Sequence, residues 1–112
     1  MEKATKPRFG DAERAVAPKL AELTEHVLYG EIWERPQLSK RDRSLVTLAA
    51  LVGMYRIEQI GMHVERAIEN GVTREEIGEM FTHLAFYAGW PASVSASRIA
   101  EMVFAKPATG KK

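Results

Sequence analysis

The chain has 112 residues, no cysteine and a formal net charge of +1. Its length is that of one domain, and the lack of cysteine excludes disulfides, thiolate metal sites and thiol nucleophiles. So small a net charge gives no general attraction to nucleic acid or to an anionic membrane, and neither is expected as a partner. With 46% hydrophobic and 28% charged residues, the composition is typical of a folded globular protein and not of a disordered one.

The sequence also bears on location. The first ten residues are charged and lack the apolar core of a signal peptide. The longest apolar run extends from Leu45 to Met54 and is interrupted by Thr47 and Gly53. This run is about half of the ~20 residues that a membrane-spanning helix needs. We therefore expect a cytoplasmic protein, which also suits a chain without cysteine.

The first predicted helix covers about residues 11–29. Apolar side chains recur there at helical spacing: Val16, Leu20, Leu23 and Val27. Pro18 lies within the pattern, so the helix is expected to begin or to kink near Ala17. Gly30 follows a last turn that contains His26 and predicts the end of the helix.

The second predicted helix begins at Ser39, where residues 39–42 resemble a capping box. Residues 45–52 are apolar on nearly every face, which predicts a helix that is buried on all sides and ends at residues 53–55. The third predicted helix covers about residues 56–69, and Asn70-Gly71 ends it.

The fourth predicted helix opens with a full capping box at residues 73–76 and ends near Ala88-Gly89. Its inward-facing residues are expected to be Ile77, Met80, Phe81, Leu84 and Ala85. Pro91 then lies in the first turn of a fifth helix that runs to about Ala105. Residues 107–112 are predicted to be a short flexible tail. The pattern predicts a single all-α domain with a core from about residue 9 to 105.

The third helix carries the first candidate functional group: Arg56, Glu58, Gln59 and His63. Gln59 and His63 are four residues apart and Arg56 precedes Gln59 by about one turn, so these three would form a row on one face. Imidazole titrates near neutral pH and suits general acid–base chemistry, with Glu58 nearby. A partly buried structural histidine would have the same spacing, and spacing alone favours that simpler interpretation.

The fourth helix carries a second group around His83. Glu79 and Tyr87 lie four residues to either side of it, so the three share a face. The carboxylate would orient the imidazole, and the phenol would donate to a substrate oxyanion. The alternative is a core histidine that bonds to Glu79 while Tyr87 packs beside it, and spacing alone favours this alternative.

Two further features are candidates for binding. Arg41 belongs to a basic cluster at the start of the second helix, together with Arg35, Lys40 and Arg43. Its spacing to Ser44 and Leu48 turns it inwards, where a guanidinium would hold a carboxylate through two hydrogen bonds. A solvated helix entrance is equally consistent with the pattern. Trp90 would either wall a pocket between the fourth and fifth helices or close the core.

The three histidines do not predict a metal centre. His26, His63 and His83 fall on three different helices and form no local pair of the HExxH kind. We therefore expect no metal site.

Two stretches of the chain resemble the carboxymuconolactone decarboxylase family. They are residues 41–51, RDRSLVTLAAL, and residues 82–91, THLAFYAGWP. Glu58-Gln59, His63 and residues 69–76 follow between them in the expected order, and the resemblance covers about residues 9–102. It implies an all-α, compact bundle of about five to six helices like that of alkylhydroperoxidase D, assembled into a trimer or hexamer.

The family divides by chemistry. Its alkylhydroperoxidase-D-like branch uses a Cys-x-x-Cys-x-x-x-His motif with an upstream glutamate. The matching positions here are Arg56, Gln59, His63 and Ser44, so both thiols and the relay acid are absent. Thiol-dependent peroxide reduction is thereby excluded. The chain looks more like the cofactor-free γ-carboxymuconolactone decarboxylases, in residues 58–63 and in the Gly-Trp-Pro turn.

That resemblance implies the decarboxylation of a small carboxylated lactone, such as 4-carboxymuconolactone, to 3-oxoadipate enol-lactone and CO₂ in the catabolism of aromatic compounds. No cofactor is expected, because the substrate carries its own electron sink. The implied catalytic residues are His63, Glu58 and His83, and the implied substrate-binding residues are Arg41, Arg56, Gln59, Tyr87, Trp90 and Ser44.

The expected roles follow from that chemistry. Arg41 would clamp a carboxylate, with Arg56 as a further candidate, and the dienolate would accept a hydrogen bond from His83, Tyr87 or Gln59. His63 with Glu58 nearby would protonate the carbon. Which of the two histidines, His63 or His83, delivers the proton stays open.

The sequence supports an oligomer independently, because five short helices would scarcely cover a second helix that is apolar all round. We expect the site to lie near a subunit interface. Two alternatives remain. One is a non-catalytic helical oligomer that binds a small molecule, and the other is a related lactone-processing enzyme.

Overall fold

The computed structural model describes residues 10–106, and these are almost entirely helical. The elements in chain order are α1 (Asp11–Val16), α2 (Pro18–Leu23), a π-helical segment (Thr24–Ile32), α3 (Lys40–Gly53), α4 (Ile57–Glu69), α5 (Arg74–Ala88) and α6 (Trp90–Ala105). This confirms the predicted all-α class. The expected tail at residues 107–112 lies outside the described residues. So do residues 1–9, which belong to the charged N-terminal segment. None of the described helices is long and apolar enough to cross a bilayer.

Contacts between Cα atoms divide the chain into two units, one that ends at Gln37 and one that begins at Leu38. The first unit contains α1, α2 and the π-helical segment. The helix breaks at Ala17, whose φ of −133° and ψ of 72° leave the helical region, as the following Pro18 predicts.

The predicted helix end at Gly30 is wrong. The chain continues as a wider helix to Ile32, and the Trp33 amide still donates to the Leu28 carbonyl at 2.9 Å. A Cβ at position 30 would lie 3.0 Å from the Glu25 carbonyl oxygen. The glycine therefore allows a close backbone approach in the π-helical segment and does not terminate it.

The second unit contains α3 to α6 around one apolar core. Its buried apolar residues are Leu48, Val52, Ile60, Val64, Ala67, Val72, Ile77, Phe81, Ala92, Ala96 and Ala100. α6 contributes alanines, which fill little space and leave room for α4 and α5 beside it.

A single chain does not bury α3 on all sides, and burial of its remaining faces in an oligomer stays a prediction. Only Ser44, Leu48 and Val52 are buried, at a spacing of four residues, whereas Val46 is 59% exposed. The three other helices of the unit cover a single face of α3, so the helix has a buried stripe and an open side.

The predicted starts of α3 at Ser39 and of α5 at Thr73 are confirmed by their capping hydrogen bonds. The Ser39 hydroxyl accepts a hydrogen bond from the Asp42 amide at 3.0 Å. At α5, the Thr73 hydroxyl accepts from the Glu76 amide at 3.0 Å while the Glu76 carboxylate accepts from the Thr73 amide at 2.9 Å. These bonds satisfy amides that the first turn of a helix otherwise leaves without a partner.

We expect Thr73→Ala to lower the free energy of unfolding by about 1 kcal/mol, since it removes the acceptor at the start of α5. Urea denaturation measures the change. Thr82→Ala is the matched control, because the Thr82 hydroxyl only donates to the Gly78 carbonyl within the same helix. Equal losses in the two variants would contradict a capping role for Thr73.

Candidate active site between α3 and α5

A groove of about 540 Å³ lies between α3 and α5 in the second unit. Its apolar wall is formed by Leu45, Val46, Ala49, Met80 and Leu84. Its polar groups are a cation, two carboxylates and an imidazole, from Arg41, Glu76, Glu79 and His83. Glu76, Glu79 and His83 belong to α5 and follow one another at spacings of three and four residues, which places them on one face of the helix.

Arg41 reaches into this groove from the first turn of α3. Its Nη2 donates a hydrogen bond to Glu76 Oε2, and its Nη1 lies 3.6 Å from the Asp42 carboxylate. The Arg41 side chain is 37% exposed, so a bound molecule can still contact it. Arg41 thus contacts carboxylates of the protein, and its binding to a carboxylate of a substrate stays a prediction.

The capping box of α5 holds this ion pair in place. One oxygen of Glu76 accepts from the Thr73 amide and the other accepts from Arg41. The hydrogen bond from the Thr73 backbone, followed by that from Arg41, lowers the pKa of Glu76 below its usual value. Glu76 is therefore anionic at neutral pH and fixes the position of the guanidinium.

His83 is exposed in the groove, and its ring stacks against Tyr87. The two ring centroids are 4.9 Å apart at an angle of 33°, which confirms that these residues share a face of α5. Glu79 lies one turn earlier on the same groove wall. An exposed imidazole beside a cation, a carboxylate and a phenol can bind an anion and exchange a proton with it.

His63 lies in the interior of the second unit and is 8% exposed. It shares the face of α4 that buries Ile60, Val64 and Ala67. Burial, and to a lesser degree the nearby Arg66, lowers the pKa of His63. The imidazole is therefore neutral, and its Nδ1 has no hydrogen-bond partner among the described residues.

The predicted row of Arg56, Gln59 and His63 does not form. Arg56 precedes the first turn of α4, with a φ of −88° and a ψ of 71°, so its side chain does not follow the helical spacing. Arg56, Glu58 and Gln59 instead line a separate depression of about 300 Å³. The preceding Tyr55 has a left-handed φ of 60°, and its hydroxyl lies 3.2 Å from Ser95 Oγ.

The two other predicted residues also lie apart from the α3/α5 groove. Ser44 is buried and accepts a hydrogen bond from Asn70 Nδ2 at 2.9 Å, which ties α3 to the end of α4. Trp90 lines a third groove, between α5 and α6. The structure thus places Arg41 and His83 in one groove, with Tyr87 stacked on His83, and places the other candidates elsewhere in the unit. Within residues 10–106, no three side chains of His, Asp and Glu are grouped to hold a metal ion.

Sequence reasoning missed the role of Glu76 at this groove. The capping box predicted its bond to Thr73, but its second bond joins residues 35 positions apart. A local pattern carries no signal for such a contact.

We expect the free energy of unfolding to fall as the pH is lowered below about 6.5, and His63→Gln to reduce that fall. Because the pKa of His63 in the folded protein lies below its usual 6.5, the unfolded chain takes up the proton first. The stability that the neutral His63 imidazole contributes is complete above about pH 6.5 and is lost as the pH falls below that value. Urea denaturation near pH 7.5 and near pH 5 measures the difference.

His26→Gln is the matched control, since His26 is exposed in the first unit. A pH dependence that is the same in His63→Gln as in the unmodified protein would contradict this assignment.

The sequence of this chain is similar to those of known proteins from one family. The model of the carboxymuconolactone decarboxylase family matches residues 18–102. The chain is 45% identical over 76 residues to 4-carboxymuconolactone decarboxylase of Acinetobacter baylyi, an alignment that covers 68% of this chain and 57% of that protein. It is 40% identical over 75 residues to nitrosuccinic acid decarboxylase of Metarhizium robertsii, with 67% and 52% covered.

An uncharacterized 15.0 kDa protein of Paracoccus denitrificans is 30% identical over 96 residues, which cover 84% of this chain and 71% of that protein. The chain spans little more than half the length of the two named decarboxylases that it matches. The family model nevertheless covers most of the chain, including both walls of the α3/α5 groove. The chain belongs to the carboxymuconolactone decarboxylase family.

Proposed function

We propose that this protein is a carboxy-lyase that removes CO₂ from a small dicarboxylate without a cofactor, with 4-carboxymuconolactone as the first substrate and 3-oxoadipate enol-lactone as the product. The observation that carries the proposal is the α3/α5 groove, where Arg41 and His83 face one space. The names of the two decarboxylase relatives support the reaction class. A related lactone-processing reaction would use the same groove.

The reaction needs no group from outside the substrate to accept electrons. The bond between the leaving carboxylate and its carbon breaks, CO₂ departs, and the electron pair moves through the double bond to the lactone carbonyl oxygen. The resulting dienolate is then protonated on carbon, so each turnover takes up one proton. The protein must bind carboxylate, stabilise the developing oxyanion and deliver that proton.

The residues of the groove match these three tasks. Arg41 offers a fixed cation for a carboxylate of the substrate. Tyr87 can donate to the oxyanion, since it stacks on His83 and is 78% exposed. Glu79 lies on the same wall, where a second negative charge would disfavour a bound carboxylate and so promote its loss as neutral CO₂.

We assign delivery of the proton to His83 and not to His63. His83 is exposed in the groove, whereas His63 is buried and has a lowered pKa. Glu58, Arg56 and Gln59 line their own depression and are outside the proposed reaction site.

The second relative suggests how broad the substrate class is. Nitrosuccinic acid is also a dicarboxylate, and its nitro group can accept the electron pair that a departing CO₂ leaves behind. Parallel assays with 4-carboxymuconolactone and nitrosuccinic acid, with CO₂ followed by infrared absorption, separate the two substrates. No CO₂ from either one, with the protein folded, would overturn the proposal in favour of a binding protein.

We expect Arg41→Gln to lower kcat/KM for decarboxylation by about 10-fold to 100-fold, the loss of a charge-assisted hydrogen bond to the substrate. Arg43→Gln is the matched control, since it removes the same charge from the same helix but does not line the groove. Equal losses in both variants would show a general charge effect and contradict a clamp at Arg41.

We propose further that the protein forms a homo-oligomer, a trimer or a hexamer. Phe86 and Tyr87 are 73% and 78% exposed, and so large an aromatic surface is typical of a contact between subunits. Light scattering after gel filtration measures the mass. The cytoplasmic location expected from the sequence stays a prediction.

A further inference from the structure

The groove between α5 and α6 shares no lining residue with the α3/α5 groove. It has a volume of about 360 Å³, within the range of small-molecule sites. Phe81 forms part of its wall from α5 and Trp90 from the start of α6. The Trp90 indole is exposed and is held by edge contact with Phe86, at 5.4 Å between ring centroids. These rings favour a flat, apolar ligand body.

Arg98 provides the charge of this α5/α6 groove. It lines the groove from the middle of α6 and is exposed. Among residues 10–106 it has no hydrogen-bond or ion-pair partner, and no acidic residue lines the groove beside it. By contrast, Arg41 is paired with Glu76, and Arg74 stacks on Phe104. An unpaired guanidinium at an apolar groove favours a carboxylate, which it can bind through two hydrogen bonds.

The hydroxyl groups of the groove add a second constraint. Ser93 donates its hydrogen to the Phe81 carbonyl at 2.7 Å, Ser97 to the Ser93 carbonyl at 2.8 Å and Thr82 to the Gly78 carbonyl at 2.9 Å. A hydroxyl has one hydrogen and two lone pairs. These three oxygens therefore present only acceptor sites, and a ligand that bonds to them must bring its own O–H or N–H.

We propose that the α5/α6 groove binds an aromatic hydroxy acid. Its carboxylate pairs with Arg98, its ring lies against Trp90 and Phe81, and its hydroxyl donates to one of the three hydroxyl oxygens. The arrangement requires an anion, a ring and a donor in one small molecule. The site is independent of the reaction proposed for the α3/α5 groove.

The test uses the full chain labelled with ¹⁵N. The chain has two tryptophans, and Trp33 belongs to the first unit, so the two indole N–H signals report on different units. The probes are 3-hydroxybenzoate and 4-hydroxybenzoate, with benzoate lacking the donor and benzyl alcohol lacking the charge. We expect a hydroxybenzoate to shift the Trp90 signal and not that of Trp33. It should bind about 3-fold to 10-fold more tightly than benzoate, and benzyl alcohol should bind more weakly than either.

Arg98→Gln should weaken hydroxybenzoate binding at least about 10-fold. Lys106→Gln is the matched control, because it removes the same charge just beyond the end of the same helix and does not line the groove. Three results would each overturn the proposal. They are an affinity for benzyl alcohol equal to that for hydroxybenzoate, a Trp90 signal that hydroxybenzoate does not shift, and hydroxybenzoate binding that Arg98→Gln leaves unchanged. A Trp90 signal that moves with protein concentration before any probe is added would also overturn it, since a second copy of the chain would then occupy the groove.

Discussion

Replacing His83 by glutamine is expected to lower kcat for decarboxylation by about 100-fold or more, with little change in KM. Glutamine retains a side chain that can hydrogen-bond but cannot deliver a proton to carbon. The dienolate would still form, because Arg41 and Tyr87 remain, but it would have to take its proton from water. Steady-state rates of CO₂ release give both constants.

The matched comparison uses the two other histidines of the chain. His26→Gln removes an exposed imidazole from the first unit and should leave kcat unchanged. His63→Gln changes a buried neutral imidazole and should affect stability more than rate. A large loss of kcat in His63→Gln together with an unaffected His83→Gln would assign the proton to His63 instead.

Replacing Leu48 by alanine is expected to lower the free energy of unfolding by about 3 kcal/mol. Leu48 is fully buried in the core of the second unit, where α3 meets α4 and α5. Removing its branched end leaves a cavity that close-packed neighbours cannot fill. Chemical denaturation followed by circular dichroism measures the loss.

Val46→Ala is the control on the same helix, since Val46 lies on the open side of α3. A surface substitution of this kind should change the free energy of unfolding by no more than about 0.5 kcal/mol. Similar losses at both positions would mean that α3 is covered on both sides in solution, as an oligomer that buries this helix would require.

The features that were predicted correctly from the sequence depend on neighbouring residues. Ser39 and Thr73 cap their helices through residues three positions away, so a short motif predicts them. Asn70-Gly71 and Gly89 end helices through backbone angles that glycine adopts readily; Gly89 has a φ of 103°. These signals set the number and order of the helices in the second unit.

The features that were missed depend on distant contacts or on helix geometry. The apolar spacing near Val27 fits an α-helix, and it carries no signal for the wider turn of the π-helical segment. Helical spacing predicts a row of Arg56 and His63 only where one helix contains both, and α4 begins after Arg56. The bond between Arg41 and Glu76 joins two helices, and only the packing of α3 beside α5 creates it.

The most direct test of the proposed function is the conversion of 4-carboxymuconolactone by the purified chain in D₂O. We predict one CO₂ released and one deuteron bound to carbon in each molecule of product, with both signals slowed together by about 100-fold in His83→Gln. Release of CO₂ without deuterium on carbon in the initial product, or no release from a folded protein, would contradict decarboxylation through a dienolate at this groove.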